Sequence, residues 1–300
     1  MATKDTSVFQ LNNGIEIPGV GLGTWQSKEQ EVYDAVMTAI KAGYKHIDTA
    51  WIYGNEEVIG RAIKDSGVNR KDLFITTKLW GTYHRDPAKN LDESLKKLNL
   101  DYVDLYLMHW PTPFDPVAAS PFPKDDKGID HEWSFVKTWE LMQQLPKDKV
   151  KSIGVSNFSI KQLEELLNAP TTKEVPAANQ IEAHPYLPQN KLLEYCKSKN
   201  IVVEAYSPLG STNSGILEDQ IIKRLAQKYS VSGAQILISW AIWRETVVLP
   251  KSVTPSRVIS NFETVELSDK DGEAINNIST RKRFVTPPWP DNNLFHDGDN

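Results

Sequence analysis

Cysteine is nearly absent: Cys196 is the only one in 300 residues, so no internal disulfide can form. The segment from Met1 to Asp5 lacks the apolar run of a secretory signal. No stretch approaches the roughly 20 apolar residues that cross a bilayer. An excess of positive charge is missing too. The 34 basic and 39 acidic residues leave a net charge of -5, without the basic stripe that a nucleic-acid backbone requires or the polybasic helix that an anionic membrane attracts. Nucleic acid and membrane are therefore not expected as partners, and a reducing, cytoplasmic compartment is. No metal is expected either, because the six histidines, at 46, 84, 109, 131, 184 and 296, show no ligand spacing with Cys196 or with carboxylates. The dinucleotide fingerprint of the Rossmann fold is also lacking, since Gly19-Val20-Gly21-Leu22-Gly23 has no glycine at the required last position.

What the chain does contain is an alternation, repeated about eight times, of a short β-branched run, a polar or glycine-containing turn and an amphipathic helix. An opening hairpin over 8–17 turns at Asn12-Asn13-Gly14, an Asn-Gly turn signal. Strands are then expected at 19–22, 46–49, 73–78, 103–108, 151–155, 177–181, 201–205 and 247–249. Helices such as 29–42, 87–98 and 161–167 fall between them. This order predicts a parallel sheet with right-handed crossovers, and eight such units close into a (β/α)8 TIM barrel. The whole chain, 1–300, reads as one domain. Two segments, 111–130 and the tail 281–300, are rich in proline and aromatic residues and lack a helical period, which marks them as long loops of the C-terminal face.

The active site of such a barrel lies where the strands end at their C-termini. Here those ends carry Gly23-Thr24-Trp25, Asp48 with Tyr53 five residues on, Lys78-Leu79-Trp80, His109-Trp110, Ser156-Asn157, Gln180-Ile181-Glu182, Tyr206-Ser207 and Lys251-Ser252. Singly, each has an ordinary reading as a helix cap, a core aromatic, a surface charge or a satisfied histidine. Jointly, a lysine and an aspartate aimed into one barrel mouth must pair, because an unpaired buried charge costs several kcal/mol. A tyrosine phenol, with a pKa near 10, is a reluctant acid at neutral pH. Lys78, held by Asp48 and aimed at the Tyr53 oxygen, is expected to lower that pKa, so that Tyr53 acts as a general acid. A neutral His109 would donate to the same carbonyl oxygen. Reducing equivalents must come from an organic cofactor.

Lys251, Ser252 and Arg257 flank Thr254 as an expected N-cap and Pro255 in the first helical turn, a combination suited to a phosphate dianion. Tyr206 is a candidate to stack on a nicotinamide ring, with Gln180, Ser156 and Asn157 on its carboxamide. The substrate mouth is expected to be an aromatic slot of Trp25, Tyr53, Trp80, Trp110, Phe114, Phe122 and Trp289 beside His109, suited to moderately hydrophobic carbonyl compounds.

Six ordered motifs resemble those of the aldo-keto reductases across nearly the whole chain. They are Gly43-Tyr44-Lys45-His46-Ile47-Asp48-Thr49-Ala50 with Tyr53, Asn55-Glu56 and Gly60; Leu105-Tyr106-Leu107-Met108-His109-Trp110-Pro111; Gly154-Val155-Ser156-Asn157-Phe158; Asn179-Gln180-Ile181-Glu182; Ala205-Tyr206-Ser207-Pro208-Leu209-Gly210; and Pro250-Lys251-Ser252. The resemblance implies a catalytic tetrad of Asp48, Tyr53, Lys78 and His109 and a usually monomeric enzyme. It also implies an extended NADPH or NADP+ with its 2′-phosphate near Lys251, Ser252 and Arg257. Gly23, Thr24, Trp25, Asp48, Ser207, Leu209, Ser211, Val253, Thr254 and Asn261 complete the expected cofactor contacts. Around 131–145 and 147–158 the chain is most similar to fungal reductases of ketones, aldehydes and keto esters, some of which oxidise polyols. It departs from the pattern at Ser260, where many members place a glutamate against the adenine. It departs again at Gln26 and Asn213, where relatives close a charged clamp over the pyrophosphate. A cofactor-sensing subunit with little turnover, and a Schiff-base aldolase using Lys78, are the rival readings.

Overall fold

The computed structural model describes residues 1–118, 120–211, 214–287, 289 and 295. Twelve strands are described: β1 (Thr3–Lys4), β2 (Val8–Gln10), β3 (Glu16–Pro18), β4 (Gly21–Gly23), β5 (His46–Asp48), β6 (Phe74–Leu79), β7 (Val103–Met108), β8 (Val150–Ser156), β9 (Ala178–Glu182), β10 (Val202–Tyr206), β11 (Val247–Leu249) and β12 (Glu263–Thr264). Their helical partners are α1 (Glu29–Ala42), α2 (Glu56–Ser66), α3 (Pro87–Leu98), α4 (Phe135–Met142), α5 (Ile160–Asn168), α6 (Asn190–Ser198), α7 (Gln220–Tyr229), α8 (Gly233–Trp243), α9 (Pro255–Ser260) and α10 (Asp269–Asn276).

Strands β4 to β11 form one parallel sheet in sequential order. The ends of that sheet meet through Val20 opposite Val248 and Gly23 opposite Lys251, with Val248 N donating to Gly19 O at 2.8 Å and Gly23 N to Pro250 O at 3.1 Å. The eight-unit barrel expected from the alternation is therefore what forms. Its closure brings Gly23 and Lys251, 228 positions apart in the chain numbering, onto one rim.

Local chemistry explains the boundaries. Helix α1 ends at Gly43, whose φ of 114° lies in the left-handed region open to glycine and whose N–H closes on Ala39 O and Ile40 O. Helices α2 and α3 pack so closely that a Cβ on Gly60 would sit 2.1 Å from Leu98 O, so only glycine fits there. Ser159, Ser232 and Asp86 cap α5, α8 and α3 with side-chain bonds.

The hairpin β2–β3 lies across the N-terminal end of the barrel. Leu11 and Ile17 pack there against Phe74, Leu105, Leu107 and Val247, which seals the end opposite the strand termini that carry chemistry. The expected hairpin is present, its first strand one residue shorter at the turn and its second moved one residue on, to Glu16–Pro18. Sequence periodicity gave no sign of the short antiparallel pair β1–β12, since two-residue strands have no period to read.

Candidate active site

Asp48 ends β5, and Lys78 lies two residues beyond Thr76, the register partner of Asp48 on β6. Because side chains alternate along a strand, Lys78 projects to the same interior one pleat higher. There the Lys78 Nζ donates to both Asp48 oxygens, at 2.8 and 2.7 Å, to Thr49 O at 2.8 Å, and reaches Tyr53 OH at 3.5 Å. Lysine and aspartate are buried, at 0% and 4% exposure.

Tyr53 is placed by a single 3-10 turn, Trp51–Tyr53, closed by Gly54 at φ 68°. Asn55 secures that turn: its Nδ2 donates to Thr24 O at 2.9 Å, and its Oδ1 accepts from Thr49 Oγ1 at 3.2 Å. The role of Asn55 was not foreseen. Its only signal was a polar residue inside the first signature. Thr24 in turn donates to Asp48 O at 2.8 Å, so strand ends β4 and β5 are stitched together below the tyrosine.

His109 follows β7, its ring 5.8 Å from that of Tyr53 and 5.2 Å from that of Trp80. Asn157 holds its backbone, Nδ2 donating to His109 O at 2.9 Å, while Asn157 Oδ1 accepts from Tyr206 OH at 2.7 Å. Asn157 is in the left-handed region at φ 64°, a conformation asparagine tolerates better than most residues.

The electrostatics differ from expectation at one point. Burial raises the Tyr53 pKa, and the adjacent Lys78 charge pulls it down without reversing the net upward shift. The ammonium offsets desolvation; it does not make the phenol more acidic than a free tyrosine. Burial alone would favour loss of the Lys78 proton, yet Asp48 and Tyr53 outweigh it and the lysine pKa is raised. His109 is pushed well below the usual histidine value by burial and by Lys78, so its ring is neutral near pH 7.

Around this centre lie the expected aromatics. Trp25, 45% exposed, leans over Tyr53 with ring centroids 4.8 Å apart. Phe122 is 40% exposed beside Trp80. Trp80, Trp110, Phe114 and Trp289 form one buried cluster, so Trp289 does fold inward. Phe114, 1% exposed, fills the space above Gly81 and shapes the slot from behind.

Lys251, Ser252 and Arg257, the expected phosphate residues, follow β11, which meets β4 where the barrel closes. Lys251 and Arg257 are exposed and Ser252 is half-buried, and neither cation enters an ion pair among the described residues. Two uncommitted cations and a hydroxyl on one rim are a donor set that fits a phosphate dianion. The Tyr206 ring is half-buried with its hydroxyl tied down, which leaves a flat face for a nicotinamide. Other parts of the expectation need correction. Thr254 stands at the N-cap but its side chain makes no cap bond; the Arg257 N–H donates instead to Thr254 O at 3.0 Å. Helix α9 is only six residues long, so the expectation of a phosphate here rests on side chains rather than on a helix dipole. The Gln180 amide donates to Asp48 Oδ1 at 2.8 Å, and Ser156 Oγ donates to Gln180 O at 2.8 Å, so the Ser156 hydroxyl can meet a further group only as an acceptor, as it does Asn157 Nδ2 at 3.2 Å. Ser260 Oγ turns back to Arg257 O at 3.3 Å. Gln26 is exposed, at φ 54°, while Asn213 lies outside the described residues.

Residues 19–280 match the Aldo/keto reductase family. The chain belongs to that family. Among curated relatives, glycerol 2-dehydrogenase (NADP(+)) of Saccharomyces cerevisiae is 54% identical over 303 residues, covering 97% of each chain. Aldehyde reductase YPR1 of the same yeast is 53% identical, over 95% of this chain and 96% of its own. The aldose reductase structure from Schistosoma japonicum superposes with a TM-score of 0.87 at 37% identity, covering 94% of this chain and 95% of that one. This aldo-keto reductase is an NADP-dependent oxidoreductase.

Proposed function

We propose that this aldo-keto reductase reduces aldehydes, ketones or keto esters to alcohols with Tyr53 as the proton donor. The observation that carries the reading is the Lys78 ammonium, which bridges Asp48 and the Tyr53 hydroxyl beneath an aromatic slot. NADPH, held by Lys251, Ser252, Arg257 and Asn261 at one end and by Tyr206, Asn157 and Gln180 at the other, supplies the hydride when bound.

The protein's part is proton handling and positioning. Because burial keeps Tyr53 protonated through neutral pH, the donor is always loaded. Lys78 lowers the cost of the phenolate left after transfer. Neutral His109 supplies a hydrogen bond that orients the carbonyl oxygen as charge develops on it. Trp25, Trp80, Trp110, Phe122 and Trp289 surround the remainder of the substrate with apolar surface and exclude water. Support for this chemistry in a relative comes from the name aldehyde reductase; the name glycerol 2-dehydrogenase supports polyol oxidation as the reverse use of the same site. The pairing with Asp48 keeps Lys78 protonated and weighs against a Schiff-base aldolase. We further read the enzyme as a cytoplasmic monomer; sedimentation checks the monomer.

The test is NADPH and NADH consumption with a panel of aromatic and aliphatic carbonyl compounds, alongside NADP+ reduction with polyols. Turnover preferring NADPH and aromatic aldehydes supports the reading. Tight NADPH binding without turnover supports a sensing subunit instead.

A further inference from the structure

Glu182 is the last residue of β9, the register neighbour of Tyr206, and is 1% exposed. A carboxylate so deeply buried is costly unless its oxygens are met by donors. Two of the donors come from the C-terminal tail. Glu182 Oε1 accepts from Phe284 N at 2.7 Å and lies 2.8 Å from His184 Nε2, while Oε2 accepts from Val285 N at 2.9 Å. The Arg283 guanidinium stands 3.9 Å from Oε2. Successive backbone N–H groups on one carboxylate fix the position and direction of the segment that carries them.

That segment leads to the substrate side. Val285 packs on the aromatic cluster, and Trp289, four residues later, has its ring 5.2 Å from Trp110 and 5.0 Å from Phe114. Arg283 also lies 3.7 Å over the Phe295 ring, which faces Trp110 at 6.4 Å. Hydrogen bonds from Phe284 and Val285 to a barrel strand are therefore the fixed point from which the tail reaches Trp289. We propose that Glu182 is the positioning residue for substrate selection: its carboxylate clasps the tail so that Trp289 walls the slot. The reacting centre, built on β5, β6 and β7, does not depend on it. The inference rests on the carbonyl-reductase reading only through the assay that reports it.

Glu182→Gln keeps the size of the side chain but places an NH2 group where one tail N–H docks. In the full-length enzyme, KM for an aromatic aldehyde is expected to rise roughly tenfold, with KM for glyceraldehyde, kcat for both and NADPH affinity little changed. Carboxypeptidase Y is expected to digest the tail of the variant faster than that of the parent. In a Trp289→Ala background the KM effect of Glu182→Gln disappears, because both changes act through one wall. Equal losses on both aldehydes, unchanged digestion, or additive effects of the two substitutions overturn the proposal. Should Glu182→Gln not fold, Glu182→Asp, which retains the charge but withdraws it by one methylene, is read by the same assays. If neither folds, the carboxylate is a folding determinant and the proposal fails. A parent enzyme without NADPH turnover removes the catalytic reading, while the digestion rates still judge the clasp.

Discussion

The Lys78 ammonium stands 3.5 Å from the Tyr53 hydroxyl while both oxygens of Asp48 grip it from the other side. This arrangement keeps a positive charge at full strength in a buried place where it would otherwise be lost. Its effect on the phenol is a balance between burial and attraction. Two consequences separate: removing the charge should cost fold stability, and it should cost rate.

Lys78→Met leaves Asp48 as an uncompensated buried carboxylate. Loss of one member of a buried pair destabilises by roughly 3–5 kcal/mol, so thermal unfolding should shift clearly downward and kcat should fall with it. Asp48→Asn together with Lys78→Met should recover part of the stability but none of the rate. Recovery of the rate in the double variant would mean that the ammonium is not needed by Tyr53.

Arg257→Ala is expected to weaken NADPH by roughly tenfold, or about 1.4 kcal/mol, and to leave NADH nearly untouched, since only NADPH carries the 2′-phosphate. Fluorescence titration with both nucleotides checks this. A parallel loss for the two would take Arg257 out of the phosphate site.

Activity should not follow an ordinary histidine titration. His109 lies well below the normal range, so its neutral form persists at pH values where a free imidazole would charge, and Tyr53, raised above its usual value, retains its proton into the alkaline range. The pH profile of kcat/KM for carbonyl reduction should be flat across pH 6.5. A break near pH 6.5 that vanishes in a His109→Gln variant would contradict the assigned protonation state.

Inside the barrel, Glu204 is fully buried 3.9 Å from His46 Nε2, and neither of its oxygens closes a hydrogen bond among the described residues. Burial, with the Asp48 charge second, raises its pKa to about 8, and burial lowers that of His46 to about 4. A folded carboxyl with a raised pKa binds a proton that the unfolded chain releases, so stability falls as pH rises from the ordinary carboxylate range toward 8. Glu204→Gln should therefore stabilise the protein at pH 7 by roughly 2–4 kcal/mol, and the gain should shrink toward pH 5. Thermal midpoints of both proteins between pH 5 and 8 test it; a gain that grows toward acid would reverse the sign and refute the assignment.

Much of this molecule could be read before its structure. Helices α1 and α3 and strands β7 and β11 fall on the residues expected of them, because long amphipathic runs and short, mainly apolar runs bounded by turns can be read without tertiary information. The residues that end the strands were legible for the same reason: a barrel puts its chemistry at predictable points. What stayed hidden depends on distance in space. Nothing in the neighbourhood of Glu182 announces Phe284 and Val285, and nothing near Asn55 announces Thr24. The direction of the Tyr53 shift was misjudged because desolvation is invisible in a sequence, whereas a nearby lysine is not. Thr254 does stand at the N-cap of α9, but its backbone oxygen rather than its hydroxyl meets the Arg257 N–H.

The central claim is that Tyr53 donates the proton, and Tyr53→Phe tests it most directly. The ring, and hence its packing against Trp25, is retained while the transferable proton is removed. Measured with an aromatic aldehyde and by NADPH titration, the variant should lose roughly 10²-fold or more in kcat with the NADPH dissociation constant unchanged. A variant that keeps most of its kcat, or loses cofactor affinity in the same proportion, would contradict the account.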